Sequence, residues 1–368
     1  MASASFLLVT CQVGAEGAVK GELARRWPEF RFSYSRPGFL TFKLPPKHGL
    51  AEDFDLESVF ARSYGFSLGL AAGETAGQRA AAVAEAFRQS KCDALHVWPR
   101  DLAAPGVRGY EPGMTDAARQ TEAAIRAAVD GEGEKTATRV TRPGEKVLDC
   151  VLLAADKWWL GVHRARTLAS CWPGGLCPLT LPDDAVSRAY IKLEEALLWS
   201  GLPLKAGERC TEIGCSPGGA AQALLRRGLI VTGIDPAQVA APVVEHPNFT
   251  HIKKRGADVR RREFRKTRWL LADINIAPQY TLDTVEAIVT HEEVDVRGLL
   301  LTLKLLDWDL AERLPEYLDR IRSWGYGWVH ARQLHHNRQE VCVAARRKGP
   351  GKRDGKGSRD QGPVIKKK

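Results

Sequence analysis

The sequence predicts an α/β chain: a doubly wound sheet domain over 183–347, preceded by a mixed α+β region over the first 165 residues. Three observations predict this. From Asp184 onward, short apolar strands alternate with helical patterns, the signature of a sheet covered on both faces. The strand Arg209 to Ile213 runs straight into a Gly-rich turn that opens a helix. Before Asp184, strands come in pairs around turn formers such as Pro37 and Gly38, the pattern of hairpins.

The elements follow in order. Phe6 to Cys11 reads as a strand, and Ala15 to Trp27 as a helix with Ala18, Val19, Leu23 and Trp27 on one face. Phe30 to Tyr34 and Phe39 to Leu44 form a hairpin, closed by a helix around Leu56 to Tyr64 and a strand at Ser67 to Leu70. This is a small α+β unit over 1–72. A second unit, 73–165, holds an Ala-rich helix from Gly73 to Phe87, a strand at Ala94 to Trp98 and a helix from Asp116 to Val129. After a charged Gly-rich loop at 131–135 it ends in a hairpin, Lys146 to Ala154 with Trp158 to Val162. Residues 166–182, with Pro173, Gly174, Gly175, Pro178 and Pro182, have linker composition. The doubly wound domain then reads as helix Ser187 to Trp199, strand Arg209 to Ile213, helix Gly219 to Arg227 and strand Ile230 to Asp235. It continues with strand Trp269 to Asp273, helix Leu282 to Glu292, strand Gly298 to Leu303, helix Leu310 to Ser323, and a final pair at Gly327 to Leu334 and Glu340 to Ala345.

Of 368 residues, 44% are apolar and 27% charged, which excludes a disordered chain and supports two or three cores. The net charge of +10 favours a polyanionic partner. Eight basic and two acidic residues fall in 348–368, so the tail carries six of those ten charges; its low-complexity composition reads as disordered and as a salt-sensitive attraction to nucleic acid. No stretch approaches the twenty apolar residues of a membrane span, and Phe6 to Val9 is too short for a signal peptide. The eight cysteines lack metal-ligand spacing, and His335 and His336 have no acid or Cys partner at ligand distance along the chain, so a cytoplasmic protein with reduced thiols and no metal is expected.

The chemistry concentrates at strand ends. In RCTEIGCSPGGAAQALL, Glu212 closes a strand, Gly214, Ser216, Pro217, Gly218 and Gly219 form the turn, and a helix starts behind it. Such a turn admits a ligand close to the backbone and offers free N–H groups to an anion. It is not GxGxxG, and it suits a nucleoside ligand better than a dinucleotide, with Asp235 closing the next strand where a carboxylate can accept ribose hydroxyls. Asp273 and Lys304 also sit at the ends of apolar strands, Glu340 opens the last one, and Lys192 lies on the helix before the turn. Taken singly, each has a structural explanation: a solvated helix lysine, a helix cap, a snorkelling lysine, a surface ion pair. Together they put two lysines and two acids at one crevice. Trp158 and Trp159 read as hairpin core and face residues. Arg260, Arg261, Arg262, Arg265, Lys266 and Arg268 form a basic run that is either a solvated face or a set of phosphate contacts.

These segments carry a resemblance. Pro182 to Arg347 resembles the RrmJ/FtsJ family of S-adenosylmethionine-dependent RNA ribose 2′-O-methyltransferases, whose catalytic domain is Rossmann-like, and within it the RlmM-type enzymes of large-subunit ribosomal RNA. It shares their SR…KLEEA helix, the GxxPGG loop, a strand ending in Asp with Pro five residues on (Asp273, Pro278), an LK strand and a closing ARQL…R.EV segment, all in order. The resemblance implies a catalytic tetrad of Lys192, Asp273, Lys304 and Glu340. It implies an S-adenosylmethionine site at Glu212, Gly214, Ser216, Pro217, Gly218, Gly219, Asp235, Asp258 and Asp273. It further implies methylation of a ribose in 23S ribosomal RNA, of a cytidine, by a cytoplasmic monomer with ribosomal RNA as partner and no membrane association. The amino-terminal units would then be a ferredoxin-like domain and a THUMP-like RNA-binding domain, matched in size, element order and echoes such as VFARSYGF at 59–66. The chain departs from the family at Ala220, where an aromatic is usual, at Arg255, where an acid would face adenine and which Asp258 would replace, and at Glu212, where Asp is more frequent.

Sulfonium is a good leaving group, so the residues need to align the reactants and deal with the proton of a weakly acidic 2′-hydroxyl. Lys304 would act either as a base made neutral by Lys192 and desolvation, with Asp273 orienting it and Glu340 positioning Lys192, or as a cation stabilising the forming alkoxide. Two other functions stay open at this level: a non-enzymatic RNA-binding or assembly factor with a degenerate pocket, and a methyltransferase of another RNA.

Overall fold

The computed structural model describes residues 5–130 and 141–347; the Gly-rich loop at 131–135 and the basic tail at 348–368 lie outside the described residues. Strands β1 (Phe6–Thr10), β2 (Arg31–Arg36), β3 (Phe39–Lys43), β4 (Ser63–Leu70), β5 (Ala94–Pro99), β6 (Lys146–Ala154) and β7 (Lys157–Arg164) form one sheet in the order β2-β3-β1-β4-β7-β6-β5. The two α+β units read from the sequence therefore share a sheet, joined where β4 pairs antiparallel with β7. Helices α1 (Glu16–Arg26), α2 (Ala76–Ser90) and α3 (Asp116–Asp130) cover it, with Val19, Leu23, Val83 and Ile125 wholly buried beneath them. A Thr75–Gln78 capping box starts α2.

The helix expected around Leu56 to Tyr64 does not form. Glu22 on α1 accepts hydrogen bonds from the Ser58 hydroxyl and from the Val59 and Phe60 N–H groups, and Glu57 sits at φ 51°, so the local donors are spent on a side chain instead of a helical turn. The 166–182 segment is ordered and packed: Cys171, Trp172, Gly174, Gly175 and Cys177 are buried, and a Cβ at Gly174 would lie 2.4 Å from the Trp98 ring.

The second sheet contains β8 (Arg209–Ile213), β9 (Ile230–Ile234), β10 (Phe249–Ile252), β11 (Trp269–Asp273), β12 (Gly298–Lys304), β13 (Trp328–Arg332) and β14 (Glu340–Arg346), in the order β10-β9-β8-β11-β12-β14-β13. The first five strands run parallel, and β14 enters antiparallel between β12 and β13. Strand β10 is the one the sequence reading lacks; at four residues it is too short to show a period. Helices α4 (Ala189–Ser200), α5 (Gly219–Arg226), α6 (Ala241–Val244), α7 (Pro278–Val289) and α8 (Leu314–Ser323) flank this sheet. Central strands buried on both faces explain the continuous apolar runs WLLA and LLLTL. The result is a Rossmann-like doubly wound domain, whose ligand edge is the carboxyl end of the parallel strands. No helix among the described residues is long and apolar enough to cross a membrane.

The two sheets meet at the turn between β13 and β14. Gln333 takes its N–H to the Val59 carbonyl and its side-chain amide to Gln12, and Gln12 in turn donates to the Asn337 carbonyl at 3.0 Å. The Arg332 guanidinium donates to the carbonyl of Arg62 at 2.9 Å. The amino-terminal region thus grips the turn that leads into Glu340.

Candidate active site

The fold brings Lys192, Asp273, Lys304 and Glu340 into one ring. Asp273 is the last residue of β11 and Lys304 the last of β12; Lys304 is also paired across the sheet with Glu340, the first residue of β14. Lys192 reaches the same point from the first turn of α4. The Lys192 Nζ lies 2.8 Å from Asp273 Oδ2 and 2.6 Å from Glu340 Oε1; the Lys304 Nζ lies 2.8 Å from Asp273 Oδ1 and contacts Glu340 Oε2. Each lysine bridges both acids, so the one-to-one division expected from the sequence, Asp273 for Lys304 and Glu340 for Lys192, is replaced by a closed four-membered network.

The electrostatics follow from that closure. Burial works against charge on Lys192, but the carboxylates of Asp273 and Glu340 outweigh it and its pKa is raised. Burial likewise opposes ionisation of Asp273, and the two ammonium groups hold it below the usual carboxylate range. Glu340 is pulled down in the same way, its burial outweighed chiefly by Lys192. Two cations and two anions then balance in a half-buried cluster.

A small cleft beside the ring is lined by Ala189, Lys192, Glu212, Ala220, Asp273 and Thr302, among others. Glu212 ends its reach here with Oε2 buried and without a partner. Burial, reinforced by the nearby carboxylates of Asp273 and Asp235, pushes its carboxyl well above the usual range. Ala220 leaves that wall small where a larger side chain would fill it.

The glycine turn has two jobs that sequence alone could not separate. Gly214 has φ 83° and its missing Cβ would come 2.4 Å from the Asp273 carbonyl, so glycine there lets the turn lie against the end of β11. At Gly219 a Cβ would sit 2.2 Å from Ser187 Oγ and 3.0 Å from the Tyr190 backbone, so this glycine serves the packing of α5 against α4. Gly218, at φ 117°, faces Val239 and Val243, and the Pro217 carbonyl accepts the Ala240 N–H at 3.0 Å. Asp235 follows β9 and its carboxylate accepts the Ser216 N–H at 3.2 Å and the Ala237 N–H at 2.8 Å, which ties the turn to the next loop. Asp258 is exposed on a short turn after β10, and that turn packs on the end of β8 through Gly256 and Ile213. Carboxylates therefore close β8, β9 and β11 and follow β10, along one edge of the sheet.

Sequence reasoning missed Glu195. It is buried, and its carboxylate accepts the N–H groups of His335 and His336, each at 2.8 Å. That pins the turn from which Asn337 donates to Glu340 Oε1 at 3.2 Å. The signal was its spacing, one helical turn after Lys192 on the same helix face. His335 is enclosed: its Nδ1 accepts the Cys177 N–H, its Nε2 donates to the Pro112 carbonyl, and burial lowers its pKa to about 4. The basic run is split from the site. Arg268 immediately precedes β11, at the end opposite Asp273, and Arg262, Arg265 and Arg268 pair with Glu263, Glu293 and Asp295. Trp158 is buried in the hairpin, the core position read from the sequence, and Trp159 stacks on Tyr34.

Residues 185–308, within the Rossmann-like domain, match the family model described as FtsJ-like methyltransferase. Among curated relatives, the chain is 34% identical over 181 residues to "Ribosomal RNA large subunit methyltransferase M" of Halorhodospira halophila, covering 48% of this chain and 51% of that protein. It is 30% identical to the proteins of the same name from Xylella fastidiosa strain M12, covering 54% and 57%, and from Azoarcus sp. strain BH72, covering 56% and 58%. The match thus spans between half and three-fifths of the length of these relatives.

Proposed function

We propose that this chain transfers a methyl group from S-adenosylmethionine to the 2′-hydroxyl of a ribose in large-subunit (23S) ribosomal RNA, with a cytidine as the target. The observation that carries the reading is the ring of Lys192, Asp273, Lys304 and Glu340 at the carboxyl edge of a doubly wound sheet, the first three of them within residues 185–308 that match the FtsJ-like family. The names of its relatives support ribosomal RNA as the partner.

The residues along the edge suit the methyl donor. Glu212 presents an orphaned buried oxygen to the cleft beside the ring, and Asp235 and Asp258 follow the next two strands. When bound, S-adenosylmethionine supplies an electrophilic methyl on a positively charged sulfur. The ring then supplies alignment and charge. Lys192, held cationic by its two acids, is the fixed charge, and Lys304 is the amine that meets the 2′-oxygen, with Asp273 and Glu340 fixing both lysines in place. Both lysines are clasped between carboxylates, which sets the Lys304 amine against the 2′-oxygen while that oxygen takes the methyl and gives up its proton to solvent.

RNA would approach over the rim of this edge. Arg188 and Arg338, both drawn to Glu111 of the amino-terminal region at 2.8 and 3.5 Å, are the guanidinium groups this reading assigns to passing phosphates. The 1–72 ferredoxin-like and 73–165 THUMP-like assignments fit a region whose sheet packs against the Glu340 turn, and they give RNA capture to that region and to the basic tail. In this reading the chain acts as a cytoplasmic monomer. Transfer of labelled methyl from S-adenosylmethionine to ribosomal RNA, followed by nucleoside analysis, tests the reading. Methyl on a ribose supports it, and methyl on a base or in transfer RNA alone rejects it.

A further inference from the structure

Outside the catalytic edge, the amino-terminal sheet buries three metal-ligating side chains against one another. His96 on β5 is in register with Asp149 on β6, and Asp149 lies opposite Gly161 on β7, two residues before His163. Side chains two apart on a strand share a face, so register alone gathers His96, Asp149 and His163 on one side of the sheet. Their ligating atoms all lie within 4.8 Å of one another, and the residues are 3%, 0% and 8% exposed. Gly65 on the adjoining strand has no room for a side chain: a Cβ would be 2.8 Å from the Val162 carbonyl and 3.3 Å from Asp149 Oδ2.

The outward nitrogen of each ring is already engaged. His163 Nε2 donates to the Ser170 carbonyl at 3.0 Å, and His96 Nε2 lies 2.9 Å from the Thr141 hydroxyl. The two Nδ1 atoms turn inward to the Asp149 carboxylate, at 2.6 Å from His163 and 3.8 Å from His96. One proton between His163 Nδ1 and Asp149 Oδ2 satisfies only half of this arrangement. His96 Nδ1 and Asp149 Oδ1 remain buried without a hydrogen-bond partner. Either tautomer of His96 leaves an orphan: a lone pair facing a carboxylate, or an N–H whose acceptor is out of reach.

We infer that His96, Asp149 and His163 bind a divalent transition-metal ion, with zinc as the best match to two imidazoles and a carboxylate. An ion at about 2.1 Å from both His96 Nδ1 and Asp149 Oδ1 would subtend roughly 130° across their separation, within the range of a distorted tetrahedral site. His163 Nδ1 lies within 4.8 Å of the other two ligating atoms and supplies the third ligand. Histidines that ligate through one nitrogen commonly donate the other to a carbonyl or similar group, the role of Ser170 here. The site joins three neighbouring strands and, through Ser170, the connecting segment, so the ion is structural and acts on the amino-terminal region. The sequence reading expected no metal because the three residues are 53 and 14 apart, without motif spacing, and only strand register unites them.

The test uses the full chain, expressed with zinc supplementation and dialysed without chelator. Elemental analysis should find close to one zinc per chain, a strong chelator should lower the melting temperature by about 5 °C or more, and added zinc should restore it. His96→Gln and Asp149→Asn should reduce bound zinc at least tenfold, and His96→Gln should leave S-adenosylmethionine affinity unchanged. Cobalt loading should give a visible absorption band that His96→Gln abolishes. If the wild-type chain carries no metal above blank and neither chelator nor zinc moves its melting temperature, the pair is held by a proton and the inference fails, whether or not the variants fold.

Discussion

Replacing Glu195 with Gln tests how the turn leading into Glu340 is held. The carboxylate is buried and accepts two backbone N–H groups, from His335 and His336, while burial pushes its pKa from the ordinary 4.5 up to about 7 against the pull of those same N–H groups. The folded chain therefore binds a proton over a range in which the unfolded chain has released it. Stability falls as pH rises from about 4.5 to about 7 and is level on either side. At about 1.4 kcal/mol for each pH unit between the two values, the loss is about 3 kcal/mol. His335 and His336 act in the opposite sense: burial lowers their pKa values to about 4 and about 3, so each contributes stability that is lost as pH falls below about 6.5. The difference between wild type and Glu195→Gln isolates the carboxyl. Gln keeps one acceptor and turns an NH2 donor toward the other N–H, so the variant should be less stable at pH 5 by about 1–3 kcal/mol. That gap should close, or change sign, by pH 8. Urea unfolding at pH 5, 6, 7 and 8 reads it directly. Parallel curves for the two proteins would show that Glu195 does not titrate in this range and would refute the reasoning.

Three further outcomes follow from the same geometry. Lys304→Ala should lower the single-turnover methyl-transfer rate roughly a hundredfold or more with donor and RNA affinity nearly intact, and Lys304→Arg should recover much of that loss if the group acts as a cation; a near-wild-type Ala variant would remove Lys304 from the chemistry. Asp235→Ala takes away a carboxylate that ties Ser216 to Ala237 and should weaken S-adenosylmethionine binding by about 1–3 kcal/mol in titration calorimetry; unchanged affinity would place the donor elsewhere. Arg338→Ala should weaken RNA binding about equally across sequences and reduce the salt slope by about one; an unaltered slope would mean that Arg338 serves only Glu111.

The carboxyl-terminal half was legible because its strands are buried on both faces. A charged residue closing an uninterrupted apolar run, as Asp273 closes WLLAD and Lys304 closes GLLLTLK, is conspicuous, and β8 and β11 have the bounds read from the sequence. Which partner each charge takes was not legible. The sharing of both acids by both lysines depends on β14 inserting beside β12, a non-local pairing with no local signal. Glu194 and Glu195 look alike in the sequence, yet one pairs with Arg227 near the surface and the other is buried under the His335–His336 turn. In the amino-terminal region, alternation located most strands but not the β4–β7 pairing that merges two units into one sheet. The helix read near Leu56 does not form because a side chain on another helix, Glu22, takes the local N–H groups.

The central claim is that the ring at the sheet edge methylates a ribose. The most direct measurement is mass spectrometry of nucleosides from large-subunit ribosomal RNA, prepared from a strain lacking this chain and incubated with the purified protein and isotopically labelled S-adenosylmethionine. The account predicts one labelled 2′-O-methylated nucleoside, a cytidine, formed by the wild-type chain and lost with Lys304→Ala. Label on a base, or no label in RNA from a protein that binds S-adenosylmethionine, would contradict it.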